Sequence, residues 1–203
     1  MVVGAVLAVF SVNLKRTLAC SSVSQIGFIL VGVGMQCFLG EENALAVRGT
    51  FLHMVNHSLI KLLLFNLAGV VYMNTHALDL NAVRGFGRKK PFLMITFLMG
   101  ALGIGGMPLL NGYVSKTLLH ESIVEYIAHL TAHGHSALLF QAIEWIFLFS
   151  GGLTVAYMLK LFVCLFVEKN SKLQEQYEAK SNYMPVISKL VLGISAVILP
   201  IMG

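Results

Sequence analysis

FLHMVNHSLIKLLLFNLAGVVYM, residues 51–73, is apolar enough to cross a bilayer, and it carries His53, His57 and Lys61 inside the apolar run. A helix needs about 20 such residues to span the hydrocarbon core, and a titratable group placed there is costly. The stretch therefore makes two statements at once. The chain lives in lipid, and something makes three proton-binding side chains worth burying.

The rest of the sequence agrees with the first statement. Of 203 residues, 57% are hydrophobic and only 11% are charged, and the mean hydropathy is +0.82. Soluble domains carry roughly a quarter charged residues. Backbone polar groups in lipid must be satisfied within the chain, so the recurrent apolar runs are expected to be α-helices. The expected fold is an all-α polytopic membrane protein of five to six transmembrane helices, forming a single transmembrane domain over 1–203 without a soluble domain. Spans are expected near 17–38, 44–73, 91–131 with a break, 138–167 and 183–203, after a half-span at 1–12 that reads as the end of a helix. The net charge of +5 does not point to nucleic acid, because the basic residues sit between spans, where they set topology. Lys15 and Arg16, the loop 74–90 and the loop 168–182 fall on one side if the spans alternate. The positive-inside rule makes that side cytoplasmic, and Arg48 is the one basic residue against the trend.

The third span contains ALGIGGMPLLNGYVSK, residues 101–116. Gly106, Pro108 and Gly112 are expected to break the helix near 106–112. Broken helices at membrane depth survive where protein or water satisfies the freed backbone groups, and in transporters they mark ion sites. Lys116 follows the break by about one turn.

At 100° per residue, His53, His57 and Lys61 form one stripe about 12 Å long, each step being about 6 Å. That step is too long for a direct hydrogen bond but passable with one bridging water. A single intramembrane His is commonly interhelical glue. Lys61 is different, since it lies too deep to snorkel, and the three groups together read as a proton relay. The i, i+4 histidines lack the Glu of a zinc H-E-x-x-H motif. Ser21, Ser22, Ser24 and Gln25 read as helix-packing residues, and Glu144 beside Trp145 reads as an interfacial residue. Cys20, Cys37 and Cys164 have no ligand spacing. No cofactor, metal site or catalytic residue is expected.

Three motifs carry a family resemblance: N-L-K-R-T-L-A-C-S-S-V-S-Q-I-G at 13–27, H-M-V-N-H-S-L-I-K-L-L-L-F at 53–65 and G-x-P-x-x-N-G-Y-x-S-K at 106–116. In this order and spacing the chain resembles antiporter-like proton-translocating membrane subunits. These include the large membrane-arm subunits of respiratory complex I, their counterparts in membrane-bound hydrogenases and formate hydrogenlyase, and the large subunits of Mrp-type sodium/proton antiporters. The resemblance implies that Lys61 is the central lysine of a hydrophilic axis, that His53 and His57 are its companions, and that Lys116 is the terminal carrier. It implies electron transfer by other subunits of a complex, and partnership with those membrane subunits in the cell inner (cytoplasmic) membrane. Alternatives sharing these motifs are a Mrp-type Na⁺/H⁺ antiporter subunit and a non-transporting structural piece. Two departures stand out. Leu109 replaces a frequent second proline, and only the later of the family's two inverted repeats is represented, which implies that an earlier half or a neighbouring antiporter-like subunit completes the unit.

Overall fold

Asn13 starts the first long helix. Its backbone is extended and its side chain accepts a hydrogen bond from the Arg16 amide at 3.0 Å, an N-cap that satisfies one of the free donors of the first turn. Lys15 and Arg16, expected before the span, therefore lie within its first turn. The computed structural model describes residues 1–180 and 183–201, and the side chains of Pro200 and Ile201 fall outside the description. Residues 181–182 of the last loop and 202–203 of the last span also lie outside the described residues.

The described chain is helical: α1 (Val2–Phe10), α2 (Leu14–Leu39), α3 (Ala44–Thr75), α4 (Leu80–Val83), α5 (Pro91–Gly105), α6 (Asn111–Ala132), α7 (Leu138–Phe162), α8 (Gln174–Ala179) and α9 (Val186–Ile201). A π-helical segment, Val163–Val167, extends α7. Three of these, α2, α3 and the extended α7, are each long and apolar enough to cross a membrane, and α5 and α9 are shorter apolar helices. The all-α polytopic expectation holds, and the spans fall within a few residues of their expected bounds. Large apolar side chains such as Ile26, Leu30, Phe51, Trp145, Phe149 and Leu159 point outward, the reverse of a protein that faces water.

The chain ends of these helices gather at two poles. At one, Leu14 N–H donates to Leu78 O and Leu80 N–H to Val12 O, both at 2.8 Å. Arg84 pairs with Glu168 at 2.8 Å, Lys89 pairs with Glu178, and Gly85 and Gly87 N–H donate to Cys164 O and Leu165 O. The three basic segments at 13–16, 74–90 and 168–180 thus share one end, as alternating spans require. At the other pole the rings of Phe38, Tyr126 and Phe140 pack together at 4.6–5.5 Å.

The interior is layered between the poles. One apolar cluster lies towards the basic end and includes Leu18, Leu64, Phe97, Ile104 and Leu161. A second lies towards the far end and includes Phe28, Met35, Ala46, Leu119 and Phe147. Between them in sequence, on every central helix, stand buried polar residues: Ser21, Ser24 and Gln25 on α2; Thr50, His53 and Asn56 on α3, with Lys61 beside them; Asn111, Ser115 and Lys116 on α6; and Ser150 and Thr154 on α7. A polar layer sandwiched between two apolar cores is the feature that positions the site.

Candidate functional site: a buried polar layer at the broken helix

The expected break is present and sharply local. Gly105 ends α5, Gly106 adopts a left-handed conformation (φ 84°), and α6 begins at Asn111. Gly106 N–H bonds back to Leu102 O at 3.1 Å and Met107 N–H to the same carbonyl at 3.0 Å, so glycine supplies the positive φ that closes the helix end. Gly112 is needed for a different reason. A Cβ there would lie 1.8 Å from Gly103 O, so only glycine lets α6 start against the end of α5. Leu109, at the position of a frequent family proline, has φ 73°. Proline is locked near −65°, so the departure from the family pattern goes with a different backbone at that residue.

Asn111 and Asn56 fasten the break to α3. The Asn56 amide donates to Asn111 O at 2.7 Å, and the Asn111 amide donates to Asn56 Oδ1 at 3.1 Å. Lys116 reaches back towards the break, as helical side chains lean towards the N-terminus. Its Nζ donates to Ile104 O at 2.7 Å, placing the cation at the carbonyl end of α5, where the helix dipole favours it. The Phe28 ring lies 5.1 Å from the same nitrogen.

The α3 stripe is present, but its hydrogen bonds do not run along α3. Lys61 Nζ donates to Leu18 O at 2.8 Å and to Ser21 Oγ. His53 contacts Ser115 Oγ through Nδ1 at 3.0 Å and Gln25 Oε1 through Nε2 at 3.1 Å. His57 is half-buried, and its buried Nε2 has no partner among the described residues. The partners of His53 and Lys61 stand on the neighbouring helices instead. His53 and Lys61 are both tied to α2, and His53 is tied also to α6, adjacent to Lys116.

Several members of the layer escape a reading of one helix at a time. Ser21 and Gln25 look like packing residues in sequence, yet they hold Lys61 and His53. Tyr157 on α7 is fully buried, its hydroxyl has no hydrogen-bond partner among the described residues, and Ser21, Gln25 and Thr154 are its polar neighbours. It sits between the two residues that hold Lys61 and His53. Gln25 also donates to Thr154 Oγ1 at 3.3 Å. Glu144, read as interfacial, pairs with His120 at 3.0 Å. No carboxylate forms a salt bridge with Lys61 or Lys116 among the described residues. Two lysines, two imidazoles and a set of hydroxyls and amides that both donate and accept can load, hold and pass protons.

The comparisons with known proteins bear on the same architecture. The family described as NADH:quinone oxidoreductase/Mrp antiporter, TM, matches residues 1–132. NAD(P)H-quinone oxidoreductase chain 4 2 of Synechococcus sp. (strain JA-2-3B'a(2-13)) is 32% identical over 193 residues, covering 94% of this chain and 33% of that protein. NAD(P)H-quinone oxidoreductase chain 4 of Prochlorococcus marinus (strain MIT 9303) is 29% identical over 191 residues, covering 94% of this chain and 31% of that protein. The chain thus spans about a third of the length of these curated relatives. In fold it is similar to a chain of the Mrp complex from Dietzia sp. DQ12-45-1b, with a TM-score of 0.75 and 22% identity over all of this chain and 20% of that one. It is likewise similar to a chain of respiratory complex I from Thermus thermophilus with bound NADH, with a TM-score of 0.72 and 23% identity over 99% of this chain and 38% of that one. With the family match covering most of its residues and the broken helix and buried lysines in place, the chain belongs to the NADH:quinone oxidoreductase/Mrp antiporter transmembrane family.

Proposed function

We propose that this chain forms one proton-conducting half, the later repeat, of an antiporter-like subunit in a respiratory NADH:quinone oxidoreductase-like complex. The observation that carries this reading is the polar layer, in which Lys61 and Lys116 are buried without carboxylate partners among the described residues. A buried ammonium held only by carbonyls and hydroxyls is stabilised far less than one in an ion pair, so it can give up its proton and take it back. Ser21 supports both states of Lys61, since a hydroxyl accepts from the ammonium and donates to the neutral amine. His53 links the layer to Ser115, the residue before Lys116. His57 contributes a ring nitrogen on the same face of α3 that has no partner among the described residues.

In this reading electron transfer belongs to other subunits, and the remaining part of the conduction unit comes from an earlier repeat or a neighbouring antiporter-like subunit. Loops 74–90 and 168–182 face the cytoplasm at the cell inner membrane. The relatives named as NAD(P)H-quinone oxidoreductase chain 4 support the choice of complex.

The test is proton pumping by the assembled complex in sealed vesicles. Lys61→Met and Lys116→Met are each expected to cut protons moved per electron by at least about tenfold while the subunit still assembles, because methionine fills the space of the lysine stem. Normal stoichiometry in both variants would end the relay reading. Flux that follows an imposed sodium gradient and ignores electron transfer would move the chain to the antiporter class.

A further inference from the structure

Lys116 does not end the line of titratable groups. His120 stands one turn further along α6, about 6 Å farther from the break. Lys116 and His120 line one open cavity of about 240 Å³, together with Tyr113 and Thr117 of α6, the end of α5, and Phe147 and Gly151 of α7. His120 Nε2 lies 3.0 Å from Glu144 Oε1, and each of these side chains is about one quarter exposed, at 25% and 27%. The carboxylate of Glu121 is 4.0 Å from the other ring nitrogen. Two aromatic rings border the step from lysine to histidine. Phe28 faces the Lys116 ammonium and packs edge-to-face on Phe147 at 4.7 Å, and Phe147 lies 6.1 Å from the His120 ring.

We propose that His120 and Glu144 form the outlet through which protons leave Lys116 towards the pole opposite the basic loops. This rests on the proton-translocating reading above and adds to it a route beyond the terminal lysine. The ammonium of Lys116 gives a proton to the neutral imidazole and becomes an amine. The imidazolium passes a proton from Nε2 to Glu144 Oε1, leaving imidazole and a neutral carboxyl group. The carboxyl group releases that proton to the outer water, and exchange of the remaining ring proton through water, off Nδ1 and onto Nε2, restores the first tautomer. Charge and protons balance at each step, and neither aromatic ring takes part chemically. The imidazole shares the cavity with Lys116, and the hydroxyls of Tyr113 and Thr117 line the same space.

A purely structural pair would staple α6 to α7 and nothing more. The two roles separate in the assembled complex, with proton flux normalised to the amount assembled. An outlet predicts that His120→Gln and Glu144→Gln each slow flux by about tenfold or more, that Glu144→Asp keeps most of it because a carboxylate remains, and that the double variant is no slower than the slower single, since the two groups act in series. A staple predicts lower assembly or thermal stability with flux per assembled complex unchanged, and that result overturns the outlet. Lys116→Met, run alongside, separates the two levels. If it stops flux while the His120 and Glu144 variants run normally, the outlet fails and the relay reading stands; if all three run normally, both fall.

Discussion

Lys90 at the basic pole is more completely covered than Lys61 in the central layer, 3% exposed against 7%, yet the roles proposed for the two are opposite. Lys90 Nζ donates to Tyr177 O at 2.6 Å, with the rings of Phe86 and Tyr183 facing it at 4.7 and 5.4 Å. Lys160, near the same pole, spends all three of its protons on Ala8 O, Val9 O and Ser11 O at 2.7–2.9 Å, closing the carbonyl end of α1. Each of these cations is surrounded by groups that only accept charge or attract it, so loss of a proton would strand a carbonyl or forfeit a cation–π contact. Lys116 likewise has one carbonyl and a facing ring, and Lys61 has one carbonyl and one hydroxyl. Neither burial nor the number of acceptors therefore identifies a carrier. What sets the central pair apart is the surrounding polar layer, with a hydroxyl on Lys61 that can also donate to a neutral amine and Ser115 and His53 beside Lys116.

The two regions also differ in what holds them, and the largest expected effect tests that. The central layer depends on a backbone fit at the break, where a Cβ on Gly112 would meet Gly103 O at 1.8 Å. No side-chain rotation relieves a clash between backbone atoms, so Gly112→Ala must part α5 from α6 and is expected to cost about 3 kcal/mol. It should also pull Lys116 from Ile104 O and reduce transport. Leu109→Gly should do the reverse and stabilise by about 1 kcal/mol, because the left-handed φ of 73° strains a leucine and not a glycine. Thermal unfolding of the purified protein in detergent measures both. A Gly112→Ala protein as stable as wild type would show that the break is soft and that its geometry does not set the layer.

The basic pole depends on side-chain ties, and a smaller loss follows from cutting one. Lys90→Met leaves Tyr177 O without its donor and removes the cation between two rings, for an expected cost of about 2 kcal/mol. Lys61→Met should leave assembly near wild type and abolish transport. If Lys90→Met assembles as well as Lys61→Met, the distinction between a tied and a carrying lysine breaks down.

Much of this arrangement was legible in the sequence, and the boundary of legibility has a physical cause. Hydropathy fixes spans because lipid imposes one requirement on every helix, and the break at 106–112 was readable because Gly106, Pro108 and Gly112 each disfavour a continuous helix. The depth of Lys61 and Lys116 followed from their places within apolar runs. The start of α2 at Leu14 was recoverable from the capping Asn13 but is hidden under the two basic residues that follow it. What could not be read were the partners. Ser21 and Gln25 look the same whether they glue helices or hold a lysine and a histidine, and Tyr157, which lies 136 residues from Ser21 (157 less 21), carries no local signal at all. Pairing across helices depends on rotation and register, to which the helical period of one segment is blind.

The smallest expected effect is a pH response confined to the basic pole. Hydrogen bonds from Lys89 and Gln174 hold the Glu178 carboxyl below the usual carboxylate range. A carboxyl whose pKa is depressed by folding adds stability that is fully present above its unfolded value, about 4.3, and is lost as the pH falls through the lower folded value. Acid should therefore loosen the segment 168–180 from the loop 84–90 below about pH 4.3 while leaving neutral-pH packing intact. Amide hydrogen exchange in detergent reads this directly, as faster exchange of α8 at low pH in the wild type. Glu178→Gln should lose the part of the acid step that belongs to this carboxyl, and the Arg84–Glu168 pair, present in both proteins, serves as the internal reference. The central layer carries imidazoles of its own, His53 and His57, so its exchange is compared between wild type and Glu178→Gln at the same pH, and the two should agree. An acid step of equal size at α8 in Glu178→Gln would remove Glu178 as its cause, and a change of α3 exchange on that substitution would show that the two regions are not independently held.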